Sequence, residues 1–153
     1  MIQRICSSVL AALLCASAAT AHAQKATVRW GPGPASLPPG TRMAIIRGDP
    51  ARPGPFTIRL ELPDGFTVAP HFHPVDEHQT LIVGRIGHGM GDSVDVKSVK
   101  WIRPGQSVVI PANAHHYVMT RGRTVVAVSA TGPWKVTYVN AGDDPRNGKH
   151  VTQ

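Results

Sequence analysis

The apolar and polar positions of the chain fall into short runs with a strand-like period, broken throughout by proline and glycine. The runs are "RMAIIRG", "FTIRLEL", "FTVAPHFH", "QTLIVG", "VKWIR", "SVVI", "HYVMT", "TVVAVSA" and "KVTYVN". Between them stand turn-forming stretches such as "GDPARPGP", "LPDG", "RPG", "IPAN", "TGPW" and "AGDDPRNG". Side chains branched at Cβ fit a pleated sheet better than a helix, and Pro and Gly supply the turn angles. No segment carries the 3.6-residue apolar period of a substantial helix. Many short strands at close spacing predict an all-β sandwich or barrel. No internal repeat and no linker divides the chain, so residues 24–153 read as one domain. Within it, residues 24–40 are expected to form an extended arm and residues 143–153 a frayed tail.

The first residues stand apart from this pattern. Arg4 gives a short positive start, "ICSSVLAALLCASAAT" is apolar and small, and Ala21, His22 and Ala23 fit an A-x-A cleavage site. This is the layout of a secretory signal peptide over residues 1–23. Its apolar centre, Val9 to Ala16, is far shorter than the roughly 20 residues that span a bilayer, so no stable membrane anchor is expected. Export to the periplasm or beyond follows. Both cysteines, Cys6 and Cys15, lie in the leader. The mature chain would then have no disulfide, thiol nucleophile or thiolate ligand, and any metal would be held by nitrogen and oxygen.

The chain is basic, with 16 Lys and Arg against 9 Asp and Glu. The positive residues are scattered, from Arg42, Arg47, Arg52 and Arg59 through Arg85, Lys97, Lys100 and Arg103 to Arg121 and Arg123. They form no run and do not interleave with aromatics, so a solvated surface is expected and no nucleic-acid partner.

Chemistry concentrates in "HFHPVDEHQTLIVG", His71 to Gly84. Residues i and i+2 of a strand share a face, so His71 and His73 can point at one spot. Pro74 cannot donate to a ladder and ends or bulges the strand. The chain can then return and aim Glu77 at the same place, or His78 if the turn is one residue longer. Two imidazoles and a carboxylate suit Zn, Fe, Mn or Ni. "PGQSVVIPANAHHYVMT" offers a further ligand. Adjacent strand residues face opposite sides, so only one of His115 and His116 can point inward.

The spacing of Gly65, His71, His73, Glu77 and Gly84, followed by Gly105, Pro111 and His116, resembles the two-motif signature of the cupin superfamily. Asn113 departs from the glycine usual there, but Asn also tolerates positive φ. "WGPGPASLPPGTRMAIIRGDPARPGPFTIRLELPDG" and "TGPWKVTYVNAGDDPR" extend the resemblance to a subgroup of small exported bacterial cupins over nearly all of the mature chain. The resemblance implies a double-stranded β-helix, or jelly-roll, barrel of two facing sheets. It also implies one divalent metal ion (Fe, Mn, Zn or Ni) held by His71, His73, Glu77 and His116. Barrels of this kind often pair through exposed strands, which makes a homodimer an expectation.

Regular alternation would place Thr67, Ala69, Gln79, Leu81, Val83, Val118 and Thr120 on the ligands' face, a mostly apolar lining suited to a small molecule. "GRIGHGMGD" sets Gly87, Gly89 and Gly91 on one strand face, with Ile86, His88 and Met90 on the other. Its glycines either allow close packing or leave room beside the metal. Trp30, Trp101 and Trp134 are expected at the barrel's ends. Four protein ligands on a six-coordinate ion leave two positions open. The expected function is a metal-dependent enzyme on a small organic substrate, of dioxygenase or lyase/isomerase type. The alternative is a non-catalytic metal- or small-ligand-binding protein.

Overall fold

The computed structural model describes residues 27–148. The expected leader over residues 1–23 lies outside them. The described residues form nine strands: β1 (Gly31–Pro32), β2 (Arg42–Arg47), β3 (Gly54–Leu62), β4 (Thr67–Phe72), β5 (Glu77–Met90), β6 (Lys100–Ile102), β7 (Ser107–Ile110), β8 (His116–Gly132) and β9 (Thr137–Tyr138). Two single 3-10 turns, Ala141–Asp143 and Pro145–Asn147, follow.

β5 and β8 set the architecture. They are long, antiparallel, and each contributes to two walls. The first half of β5 pairs with the second half of β8, which also pairs with β3. The second half of β5 pairs with the first half of β8, which also pairs with β4. One wall therefore runs β2-β3-β8-β5-β7 and the other β9-β4-β8-β5-β6. β5 turns from wall to wall through register shifts at Leu81/Val83 and Val83/Arg85. Gly84 sits at that corner with φ of 81°, and a Cβ there would lie 2.4 Å from the Arg123 carbonyl oxygen. Only glycine fits both the angle and the gap.

The core forms between the walls. β3 shows why the alternation was readable: Phe56, Ile58, Leu60 and Leu62 are buried, while Thr57, Arg59 and Glu61 between them are not. They pack with Val68, Leu81, Ile86, Val118, Val126, Val128, Val136 and Tyr138. Leu37, from the N-terminal segment, also enters this core, and the Tyr138 hydroxyl donates to the Ser36 carbonyl at 2.9 Å. Arg146 donates to the Val136 carbonyl at 3.2 Å and pairs with Asp144, which holds the C-terminal turns to the barrel.

The corner corrects one expectation about the lining. Gln79, Leu81, Val118 and Thr120 are buried, but Val83 is 41% exposed. The register shifts on either side of it break the two-residue period and turn its side chain outward. The glycine-rich run is resolved in favour of close packing. A Cβ on Gly89 would lie 1.9 Å from the Tyr117 ring, and one on Gly87 would lie 2.9 Å from Trp101. These aromatic rings occupy the space that the glycines leave.

Candidate metal centre

His71 ends the pairing of β4 with β8, directly opposite His116. Paired residues of an antiparallel ladder share a face, so the two imidazoles meet, with ring centroids 4.2 Å apart. His73 follows just past the end of β4, its ring 5.0 Å from that of His71 and 5.2 Å from that of His116. One ring nitrogen from each of the three lies within 4.8 Å of the others, and all three residues are buried. His115, one residue before His116, points the other way. It is partly exposed, pairs with Asp92 at 2.5 Å and stacks on Phe72.

Glu77 opens β5 and is 2% exposed, whereas His78 faces solvent. The loop register therefore sends Glu77 inward. Its Oε2 lies 2.9 Å from His73 Nε2 and 4.0 Å from His116 Nε2. The two loops that carry these side chains are tied together. Asn113 N–H donates to the His73 carbonyl at 2.7 Å, and Ala112 N–H donates to Asp76 Oδ1 at 2.7 Å. Asn113 takes the left-handed conformation, with φ of 60°.

The tautomers follow from the hydrogen bonds. His71 Nδ1 lies 2.7 Å from the Ala69 carbonyl, His73 Nδ1 2.9 Å from that of Lys135, and His116 Nδ1 3.0 Å from that of Ala114. A carbonyl only accepts, so each Nδ1 carries the proton and donates. Each Nε2 is left with a lone pair. His116 Nε2 and Glu77 Oε2 are buried without a hydrogen-bond partner. His73 Nε2 and Glu77 Oε2 are close but not aligned as donor and acceptor. Buried acceptors that converge without donors fit a shared cation. The Nδ1–H to carbonyl bonds are the arrangement that metal-bound histidines adopt. The donor set of imidazole nitrogens and a carboxylate oxygen suits a divalent transition ion.

Electrostatics supports neutral imidazoles at two positions. Burial, reinforced by His116 and His73, pushes the His71 pKa down to about 3. Burial also lowers that of His116. At His73, burial opposes the charge but the adjacent Glu77 carboxylate outweighs it and raises the pKa. At Glu77, burial favours the neutral acid, yet the three imidazoles, His73 foremost, hold the carboxyl below its usual range.

No family model matches the chain, and no curated protein matches it in sequence. Solved structures do match. An RmlC-like cupin from Shewanella frigidimarina superposes with a TM-score of 0.51 at 13% identity, over 60% of this chain and 76% of that one. The chain has the cupin fold. The polyketide cyclase RemF from Streptomyces resistomycificus is similar at a TM-score of 0.55 and 19% identity, over 69% of this chain and 75% of that one. The DMSP lyase DddQ from Ruegeria pomeroyi is similar at 0.56 and 17%, over 72% of this chain and 60% of that one. The cupin resemblance read from the two motifs is borne out in the fold, and the all-β jelly-roll expectation with it.

Three features of the interior and the walls go beyond what the strand pattern specified. Trp134, expected at a barrel end, stacks on His73 with centroids 5.3 Å apart and planes 24° from parallel. Trp101 lies on the outer face of the barrel, over Gly87 and under Arg121 at 4.3 Å. Inside, His88 Nε2 and Gln79 Oε1 meet at 2.9 Å. Gln79 was readable as a lining residue, but no signal in the sequence paired it with His88. An open groove of about 560 Å³ on the outer wall, lined by Arg47, Thr57, Asp76, His78 and Ser129 among others, shares no residue with the donor cluster. The groove's lining includes none of the buried unpartnered side-chain atoms, two of which, His116 Nε2 and Glu77 Oε2, belong to the donor cluster.

Proposed function

We propose that the protein is an exported cupin that binds one divalent metal ion through His71, His73, Glu77 and His116 and uses it in a reaction on a small organic molecule. The observation that carries this reading is the set of Nε2 lone pairs, fixed by three Nδ1–H to carbonyl bonds and facing an unpartnered carboxylate oxygen. A bound ion would polarise a carbonyl or enolate oxygen, or lower the pKa of bound water. The chain's own part is to hold the three imidazoles oriented, with burial keeping His71 and His116 neutral, and to surround them with apolar walls. Val118, on the same strand face as His116, and Leu81 belong to those walls. Among the described residues no Arg or Lys is buried, which disfavours a highly charged substrate. The polyketide cyclase and the lyase among the structural neighbours are enzymes of small organic substrates by name. Export rests on the leader read over residues 1–23 and on the confinement of cysteine to it.

The test is turnover by the full mature chain loaded separately with Fe, Mn, Ni and Zn. Diketones, catechols and hydroxy acids serve as substrates, followed by oxygen uptake and by product analysis. Oxygen consumption with a redox metal supports a dioxygenase, and product without oxygen supports a lyase or isomerase. Tight ligand binding with no product from any combination supports the non-catalytic alternative.

A further inference from the structure

The buried polar groups of the barrel are not all used by the metal cluster. Gln79 lies two residues beyond Glu77 on the inward face of the first half of β5, and His88 lies on its second half. The bend of the strand brings them together across the interior, Nε2 to Oε1 at 2.9 Å, with both residues buried. An amide oxygen only accepts, so His88 Nε2 carries the proton and Nδ1 keeps a bare lone pair. That Nδ1 is buried and has no hydrogen-bond partner. His88 pairs with Val118, two residues from His116, and so shares the face of the metal cluster.

We infer that the Gln79–His88 pair is a ligand-anchoring point, at which His88 Nδ1 accepts a hydrogen bond from an O–H of the molecule bound beside the metal cluster. This rests on the reading of the metal site above and narrows its substrate class. The ligand gives one oxygen to the metal and a hydroxyl to His88, as an alcohol, enol or hydroxy acid does and a ketone or ether does not. Burial, with a smaller effect from His116, brings the His88 pKa down to about 4, so the ring is a neutral acceptor at pH 7. Gln79 fixes the tautomer and the ring plane. A buried acceptor left unmet is unfavourable, and a ligand hydroxyl that reaches it supplies the missing donor.

Two experiments test this. In ¹⁵N-imidazole correlation spectra at pH 7, His88 is expected to show a protonated Nε2 and a bare Nδ1. A proton on Nδ1 overturns the inference, whether or not metal is bound. Calorimetric titration of the zinc-loaded full chain then compares lactate with its methyl ether, 2-methoxypropanoate. The native protein is expected to prefer lactate, and His88→Leu to reduce that preference by roughly three- to tenfold. Gln79→Leu/His88→Leu removes both partners together, leaves no orphaned amide, and is expected to show the same reduced preference. An unchanged preference in both variants, or no lactate binding by the native protein, overturns the inference alone provided zinc is retained at one per chain. Failure of the native protein to hold zinc overturns the metal reading and this inference with it.

Discussion

The indole of Trp134 lies nearly parallel to the imidazole of His73, 5.3 Å away, and the carbonyl of the next residue, Lys135, accepts the His73 Nδ1 proton. One short segment thus fixes both the plane and the tautomer of a candidate ligand. Groups that orient a metal-bound histidine typically contribute about 10- to 100-fold to affinity. Trp134→Ala is therefore expected to weaken zinc binding by about tenfold, as measured by competition with a chromogenic chelator. Trp134→Phe should retain most of the affinity, and equal affinity in Trp134→Ala and the native protein would show that the stack has no such role.

Asn113 holds positive φ while its N–H ties the second motif loop to the first. A left-handed residue with a Cβ costs roughly 1–2 kcal/mol, least for Asn and nothing for Gly. Asn113→Gly should be close to neutral in chemical denaturation, and Asn113→Ala should lose about 1 kcal/mol. The reverse order would mean that the Asn side chain, rather than the backbone angle, matters there.

Gly89 is fully covered by Tyr117, whose hydroxyl accepts from Asp95 N–H at 3.0 Å and donates to the Asp95 carbonyl at 2.7 Å. The ring is held from its far end and cannot retreat freely. Gly89→Ala should therefore destabilise the fold by about 3 kcal/mol, the upper part of the usual range for overpacking. A melting temperature unchanged from the native protein would mean that the loop over Gly91–Val99 yields easily.

The metal-free protein should lose stability as pH falls from 7 to 5. In the unfolded chain His71 and His88 take up protons near 6.5, but in the fold only at about 3 and about 4. The unfolded state then binds more protons, so stability falls with pH below 6.5. His73, raised by Glu77, opposes this and is outnumbered. Thermal unfolding followed by circular dichroism across this window checks the sign, and a melting temperature that rises toward pH 5 would contradict it.

Much of the site was legible because it depends on the simplest strand rule. His71 and His73, two apart, face one way, and His116 rather than His115 turns inward, as alternation requires. β3 shows the same rule in the core. What could not be read depends on where a strand departs from its period or on what another segment brings to it. Val83 turned outward because the corner at Gly84 breaks the register. Trp134 reaches His73 only because the chain returns along β4 through β9. Gln79 and His88 meet only because one strand bends across the barrel, and nothing in local spacing specifies that bend.

The central claim is that His71, His73, Glu77 and His116 share one ion. Its most direct test is metal content by inductively coupled plasma mass spectrometry of the mature protein after exposure to a single divalent metal and exhaustive dialysis. One ion per chain in the native protein, with near-complete loss in His73→Ala and in His116→Ala at unchanged fold, is the expected result. Full metal retention in both variants, or no metal in the native protein, would contradict it.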